Sequence, residues 1–485
     1  MRFIMAKHPQ WATKHKRKGA ELRLINGRYY LYEVSSKWDP NKKRSKKITG
    51  KLLGKITKED GFIESEKAKL RKQSLIVSNL SVKEYGITAF IDNHLSQYKD
   101  LLKKHFPGQW EIILVLSYGR LIYQSPLKNI AFHYAHSYLS EQYKGLSLSA
   151  KSLSVFLREL GTNRKAITDF FKEFTNGKNN IIFDGTDLIS YSKKMEITKL
   201  SKSKKGNFQN LINLIFAFSV DLQLPIYYRI VAGNIKDIKA FKLSLTESQI
   251  SNAVIIADKG FYSQKNIDEL NAEKLKYIIP LKRNNKLIKY DKVKTTDKKS
   301  YEGFLKYQGR IIWFYTYRAK RQTINVYLDE ELKTRETKDY LNRIESLPDN
   351  YNIDTFYDKE NTFGTIAFIH NTNKIPEETY VDYKSRGQVE TMIDTLKNII
   401  DADKSYMQDE QALEAWTFIN YIALHWYYRI YQLLVKNKLT NKYSPMDFLL
   451  FLKEIRKVKI NDKWYLAEII TKTEDLLERL KIHIT

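Results

Sequence analysis

Three acidic residues stand where carboxylate chemistry would need them. Asp184 closes the apolar run 181–183, and Asp258 closes the apolar run 254–257. Glu390 belongs to a polar series in which Tyr383, Arg386, Glu390 and Lys397 follow one another at intervals of three, four and seven residues. At about 100° per residue these four fall within roughly a 60° arc of an α-helix. Val389, Ile393, Leu396 and Ile400 form a separate apolar stripe beside that arc, so the helix packs by its stripe and turns the polar arc to the rim of a sheet. Convergent carboxylates suit Mg²⁺, a hard cation that prefers oxygen ligands and keeps several waters. Two such ions about 3.5–4 Å apart serve phosphodiester cleavage. Taken singly, each strand-end aspartate equally fits a turn or helix cap, and the helix face equally fits a solvated surface with an Arg386–Glu390 contact.

The elements that would position these groups follow from periodicity. Residues 181–183, 211–220 and 226–231 read as strands, 238–250 as a helix, 254–257 as a buried strand, 264–272 as a helix capped by Ser263, and 277–281 as a fifth strand. The order β-β-β-α-β-α-β is that of a ribonuclease-H-like α/β core with a mixed sheet. In that order the first strand lies centrally, next to the fourth, so Asp184 and Asp258 would face one site. Residues 285–370 interrupt the core with strands at 301–307, 310–317, 323–328 and 364–370 and a helix at 331–345. Helical sequence resumes at Pro376 and runs to about Asp401; residues 411–482 are helical and aromatic-rich.

Ahead of the core, 82–176 reads as helical, most clearly at 110–124 and 152–160, with Gly161 as a stop and Asn163 capping 164–174. A helix-turn-helix at Gly161 is a weak signal beside an ordinary helical hairpin. His133 and His136 read as packing or surface residues. The first segment is β-structure: strands at 22–25 and 28–34 flank Asn26-Gly27, a strong hairpin signal, and a second turn at Asp39-Pro40-Asn41 leads to a strand carrying Arg44, Lys46 and Lys47. The expected organisation is a basic β-hairpin module (1–75), a helical DNA-binding domain (76–178), the first part of the core (179–284), a β-rich insertion (285–370), the core helix bearing Glu390 (371–410) and a C-terminal helical region (411–485).

Charge narrows the partner. The 485 residues hold 83 Lys and Arg against 55 Asp and Glu, a net charge of +28. Residues 1–72 alone hold 21 basic and 7 acidic residues. Such an excess favours a polyanion, nucleic acid above all. With no cysteine, disulfides, thiolate nucleophiles and Cys-based zinc sites are excluded. The most apolar stretch, 416–435, is interrupted by Asn420, His425, Arg429 and Gln432, so a soluble, cytoplasmic, nucleoid-associated protein without membrane attachment is expected.

The Tyr383/Arg386/Glu390/Lys397 spacing resembles the signature of the YREK group of insertion-sequence DDE transposases. Further blocks are similar to that family, in the same order: Asp184-Gly185-Thr186, Ser201-Lys202 with Gln209, Gly233-Asn234-Ile235-Lys236-Asp237, Ala257-Asp258-Lys259-Gly260-Phe261-Tyr262-Ser263 and Tyr277-Ile278-Ile279-Pro280-Leu281. Together they span about 180–425. Two departures stand out: Gly387 follows Arg386 where the family usually has a large aromatic, so the helix is expected to start later or kink there, since Gly weakens a helix by about 1 kcal/mol, and Ser203 stands where an acidic residue is usual.

The resemblance implies a cut-and-paste DNA transposase. Asp184, Asp258 and Glu390 would be catalytic and hold two Mg²⁺, with Mn²⁺ a possible substitute. Tyr383, Arg386 and Lys397 would hold backbone phosphates of the transposon end. Lys202, Lys204 and Lys205 of a basic hairpin, and Arg44, Lys46 and Lys47 of the N-terminal module, would make further DNA contacts. The partners implied are double-stranded DNA, as terminal inverted repeats and target, and a second copy of the chain in a synaptic dimer. The competing readings are a ribonuclease-H-like nuclease that cuts without joining, a catalytically inactive DNA-binding derivative and, last, a basic membrane-surface protein.

Overall fold

Long runs of Ile, Val, Phe and Tyr bounded by turn residues make this chain a sheet builder, and most of its strands join one sheet. The computed structural model describes residues 8–39, 44–73, 80–175, 181–202, 208–231, 238–250, 253–257, 259–294, 297–319 and 322–484, with residues 70–73, 202 and 239 described by backbone alone. Contacts divide the chain into two units, Met1–Ser81 with Lys459–Tyr465, and Val82–Val458 with Leu466–Thr485.

The first unit is built on a four-stranded antiparallel sheet of β1 (Ala20–Ile25), β2 (Arg28–Asp39), β3 (Arg44–Thr57) and β4 (Gly61–Glu64), in that order. Asn26 and Gly27 both take positive φ, 48° and 75°, the turn geometry the Asn-Gly pair favours. Its core is small: Ala12, Leu22, Leu31 and Ile56. Strands β2 and β3 outrun that core. From Ser35 to Trp38 and from Arg44 to Ile48 every residue is exposed, so the far part of this pair is a ribbon with two wet faces.

The second unit holds the mixed sheet. Its strands are β5 (Ile181–Ser190), β6 (Lys199–Lys202), β7 (Phe208–Ser219), β8 (Leu224–Val231), β9 (Ala253–Ile256), β10 (Lys276–Pro280), β11 (Gly303–Tyr307), β12 (Arg310–Ala319), β13 (Gln322–Asp329), β14 (Thr365–His370) and the short β15 (Lys404–Ser405). The order is β11-β12-β13-β14-β10-β9-β5-β7-β6, with β8 also on β7 and β15 also on β5. The first core strand therefore lies between the second long strand and the fourth. Strand β5 runs antiparallel to β7 and parallel to β9, with Phe183 opposite Ile255. The segment read as an insertion is continuous with this sheet: β14 pairs antiparallel with β10 on one side and β13 on the other. Strand β10 thus gains a partner where its backbone would otherwise be an open edge.

Helices cover the sheet. They include α1 (Trp110–Tyr123), α2 (Ala150–Thr162), α3 (Arg164–Thr175), α4 (Ile238–Ser248), α5 (Gln264–Ala272), α6 (Glu330–Ser346), α7 (Pro376–Asp394) and α8 (Glu410–Lys436). One hydrophobic cluster runs from Ile87 through the strands to α8 and on to Ile482. Two sequence expectations are corrected here. Gly161 does not stop α2, which runs on to Thr162. It marks a crossing instead, because a Cβ there would lie 1.8 Å from the carbonyl oxygen of Gln411 at the start of α8. Likewise Gly387 neither delays nor breaks α7, which spans Pro376–Asp394, and its Cβ position faces open space. Asn163 caps α3 as expected, its Oδ1 accepting from the Ala166 amide at 3.2 Å. His133 stacks on Tyr123, with ring centroids 3.9 Å apart. No helix among the described residues is long and apolar enough to cross a membrane.

Candidate active site

The site is built where β5 passes under α7. Asp184 follows a fully buried triplet, Ile181 to Phe183, and its own side chain is 12% exposed at the rim. Its Oδ1 accepts from the Gly185 amide at 2.9 Å. Helix α7 begins with Pro376 and carries Glu377 and Glu378 in its first turn, a favourable start for both backbone and dipole. Of the expected stripe, Val389, Leu396 and Ile400 are buried and Ile393 is half-buried, and Met392 joins them on the packing face.

Arg386 lies between two of the three acidic residues. Its Nε is 3.3 Å from Asp184 Oδ2, and its Nη1 donates to Glu390 Oε1. Nε is buried without an aligned hydrogen bond, so charge rather than bond geometry holds it to Asp184. Glu390 is 55% exposed. Two carboxylates 206 positions apart in sequence therefore share one cation. Hard oxygen donors gathered around positive charge are a donor set that fits a divalent ion. Asp258 lies outside the described residues, and among the described residues no cluster of three acidic or histidine side chains surrounds a metal position.

Lys397 departs from the expected helical arc. After Asp394 the helix widens into a π turn, Thr395–Ile399, and the extra residue per turn rotates Lys397 relative to a 3.6-residue count. Its Nζ lies 3.6 Å from Asp187 Oδ1, three residues beyond Asp184 on β5. Tyr383 packs its ring on Phe368 of β14, centroids 4.4 Å apart. Tyr383, Arg386 and Lys397 thus reach three different partners along the rim. Of the other expected contacts, Lys204, Lys205 and the 233–237 block lie outside the described residues, and Lys202 is described by backbone alone, as the end of β6. Arg44 and Lys46 are exposed on the ribbon of the first unit, while Lys47 pairs with Glu21 at 2.7 Å.

Sequence reading missed Asp187 and Arg120. Arg120 is 4% exposed, inside α1. It donates to Asn420 Oδ1 (2.8 Å) and to the backbone oxygens of Gln124 (3.0 Å), Ser125 (3.0 Å), Ile400 (2.6 Å) and Asp401 (2.9 Å). A cation thus meets the carbonyl end of the π turn, where the helix dipole is negative, and ties the end of the Glu390 helix to α1 and α8. Burial holds its guanidinium down, to about 10. A lone arginine within the apolar sequence of α1 was the available signal.

A second, half-buried network joins α3, β8, α4 and α8. Arg164 pairs with Glu247 at 3.0 Å and Glu414 at 2.6 Å, and Arg229 pairs with Glu247 at 2.6 Å. Burial alone would raise Glu247, but the hydrogen bond and charge of Arg164 bring it down to about 2.

A family model described as "Transposase DDE domain" matches residues 175–426, just over half the chain. Among solved structures, a piggyBac transposase synaptic complex with hairpin DNA is similar at 12% identity and a TM-score of 0.39, covering 71% of this chain and 69% of that one. No curated protein matches.

Proposed function

This chain belongs to the family of transposases with a DDE domain, and on that premise we propose that it cuts DNA at transposon ends and joins those ends to target DNA. Asp184, Asp258 and Glu390 hold Mg²⁺, which Mn²⁺ can replace, on a ribonuclease-H-like core. When bound, the metal supplies Lewis-acid stabilisation of charge developing on the phosphoryl oxygens. The observation that carries the reading is Arg386, whose guanidinium gathers Asp184 and Glu390 at one point of the rim. The position of β9 beside β5, in parallel register up to Phe183 and Ile255, supports Asp258 as the third member, three residues beyond Ile255.

The chain's own residues divide the remaining work. Arg386 would hold a phosphate of the transposon end, with Asp184 and Glu390 left to the metal. Lys397, steadied by Asp187, and Tyr383, steadied by Phe368, hold neighbouring backbone. Lys202, Lys204 and Lys205 extend this contact. The spacing of Tyr383, Arg386, Glu390 and Lys397 supports assignment to the YREK group of insertion sequences.

The exposed ribbon of the first unit binds duplex DNA through Arg44, Lys46 and, after exchange with Glu21, Lys47. Lys37 stands directly across from Lys46. Like charges in that position destabilise a sheet, and a phosphate between them reverses the sign. Two copies of the chain pair in the synaptic complex.

The test uses pre-cut ends carrying the inverted repeats that flank the gene, target plasmid and Mg²⁺. Joined products are expected from the native chain. Asp184→Ala, Asp258→Ala and Glu390→Ala should each abolish cutting and joining while leaving DNA binding in Ca²⁺ largely intact. Hydrolysis without joining would refute the transposase assignment and leave a nuclease.

A further inference from the structure

We propose that a polar cavity on the far flank of the Glu390 helix is a second phosphate site, which grips the duplex beside the cut. The inference rests on the transposase reading and adds a contact to it. The cavity has a volume of about 230 Å³ and lies between α7 and strands β12 and β13. Four cations line it, Lys259, Arg283, Arg310 and Lys384, against two carboxylates, Asp329 and Glu336.

The arginines are already matched. Arg310 Nη1 lies 2.6 Å from Asp329 Oδ2, and Arg283 Nη2 lies 2.9 Å from Glu336 Oε1. Both carboxylates are anchored in turn: Asp329 caps α6 by accepting from the Leu332 amide at 3.0 Å, and Glu336 accepts from the Gly364 amide at 2.7 Å. The guanidinium groups are therefore fixed, with further N–H donors to offer. Among the described residues neither Lys259 nor Lys384 has an ion-pair partner, so two positive charges remain in surplus.

Lys384 is the telling residue. It is half-buried, and its ammonium stands over the Tyr380 ring at 5.2 Å. Burial, and then the charge of Arg310, disfavour its protonated form, and Asp329, already paired with Arg310, offsets only part of this. An ammonium desolvated beside a guanidinium remains costly unless a further anion joins them. A phosphate diester meets that need: it is anionic, small enough for the space and suited to paired Lys and Arg donors.

Position selects DNA as the source. Lys259 directly follows Asp258 in sequence, at the end of β9 that neighbours Asp184. Lys384 and Arg386 are two residues apart, about 200° around α7, so the helix divides the rim between them. From β5 to β13 is four strand spacings, on the order of 20 Å. The group held here therefore belongs to backbone flanking the cut, not to the reacting phosphate.

The test measures binding of a fluorescein-labelled 30-base-pair duplex to the full chain in Ca²⁺, from about 50 to 200 mM KCl. One phosphate contact contributes a slope of about −0.9 in log K against log salt. Lys384→Gln should reduce the slope by about that amount, so that the native chain loses about 3.5-fold more affinity than the variant across the range. Lys384→Arg should keep the native slope. Equal slopes for Lys384→Gln and the native chain would overturn the proposal. So would equal losses in the Gln and Arg variants, which would mark a packing role. A third arm adds inorganic phosphate to melting experiments without DNA. If it protected the native chain but not Lys384→Gln while the DNA slopes coincided, the cavity would take a free anion and the DNA assignment would fall. Cutting that survives Glu390→Ala refutes the transposase reading alone, so the two failures are distinguishable.

Discussion

Replacing Arg386 by Gln should strengthen divalent metal binding while impairing DNA cleavage. The guanidinium is 3.3 Å from Asp184 and bonded to Glu390. The gross attraction at 3.3 Å is about 5 kcal/mol at an effective dielectric constant of 20. Desolvation offsets much of that, and Glu390, being 55% exposed, adds only a few tenths of a kcal/mol after screening. A net competition of roughly 1.4 kcal/mol remains, which is tenfold in an equilibrium constant. Manganese titrated into the DNA-free chain, followed by calorimetry or by the paramagnetic signal of free Mn²⁺, should thus show about tenfold tighter binding in Arg386→Gln. Glu390→Gln should show weaker binding. Cleavage by Arg386→Gln should fall about 10²-fold or more, as for loss of one preorganised donor to developing charge. Unchanged or weaker manganese affinity in Arg386→Gln would mean that the guanidinium and the metal do not compete for the same oxygens, and the proposed metal position would be wrong.

Three further outcomes are expected. Gly161→Ala should destabilise the chain by about 3 kcal/mol or more, since the clash is with backbone that cannot turn aside, whereas Gly387→Ala, in an open helix interior, should stabilise it by about 0.5–1 kcal/mol; denaturant midpoints compare the two. Burial raises Glu84 from 4.5 to about 7, so the folded state holds the proton more tightly, and the stability this contributes is full below pH 4.5 and lost as pH rises through about 7. His425 behaves oppositely: burial lowers it from 6.5 to about 3, and its contribution, present above pH 6.5, is lost on acidification. Glu84→Gln should therefore unmask a rise in stability with pH of about 1.4 kcal/mol per unit between pH 4.5 and 6.5, and a flat profile there would contradict the burial assigned to His425. Arg44→Gln with Lys46→Gln should reduce the salt slope of duplex binding by about 1.8; an unchanged slope would remove the ribbon from the DNA-binding surface.

Periodicity and punctuation alone established most of the elements. The apolar runs ending in Asp184 and Asp258, the Asn26-Gly27 turn and the strands at 310–317 and 323–328 were legible because a period of two, or a buried run closed by a polar residue, is a local property of the chain. The apolar stripe through Val389 and Ile400 was legible for the same reason. Only tertiary structure decided what lies far apart in sequence: that β14 joins the supposed insertion to the core sheet, that Gly161 is a crossing point against Gln411, and that Arg386 lies between Asp184 and Glu390. The π turn that swings Lys397 to Asp187 belongs to the same class, since Arg120, remote in sequence and itself bonded to Asn420, holds its end. Local spacing specifies an element's type and face, whereas register, close approach and shared charge depend on pairs of residues brought together only by the packed core.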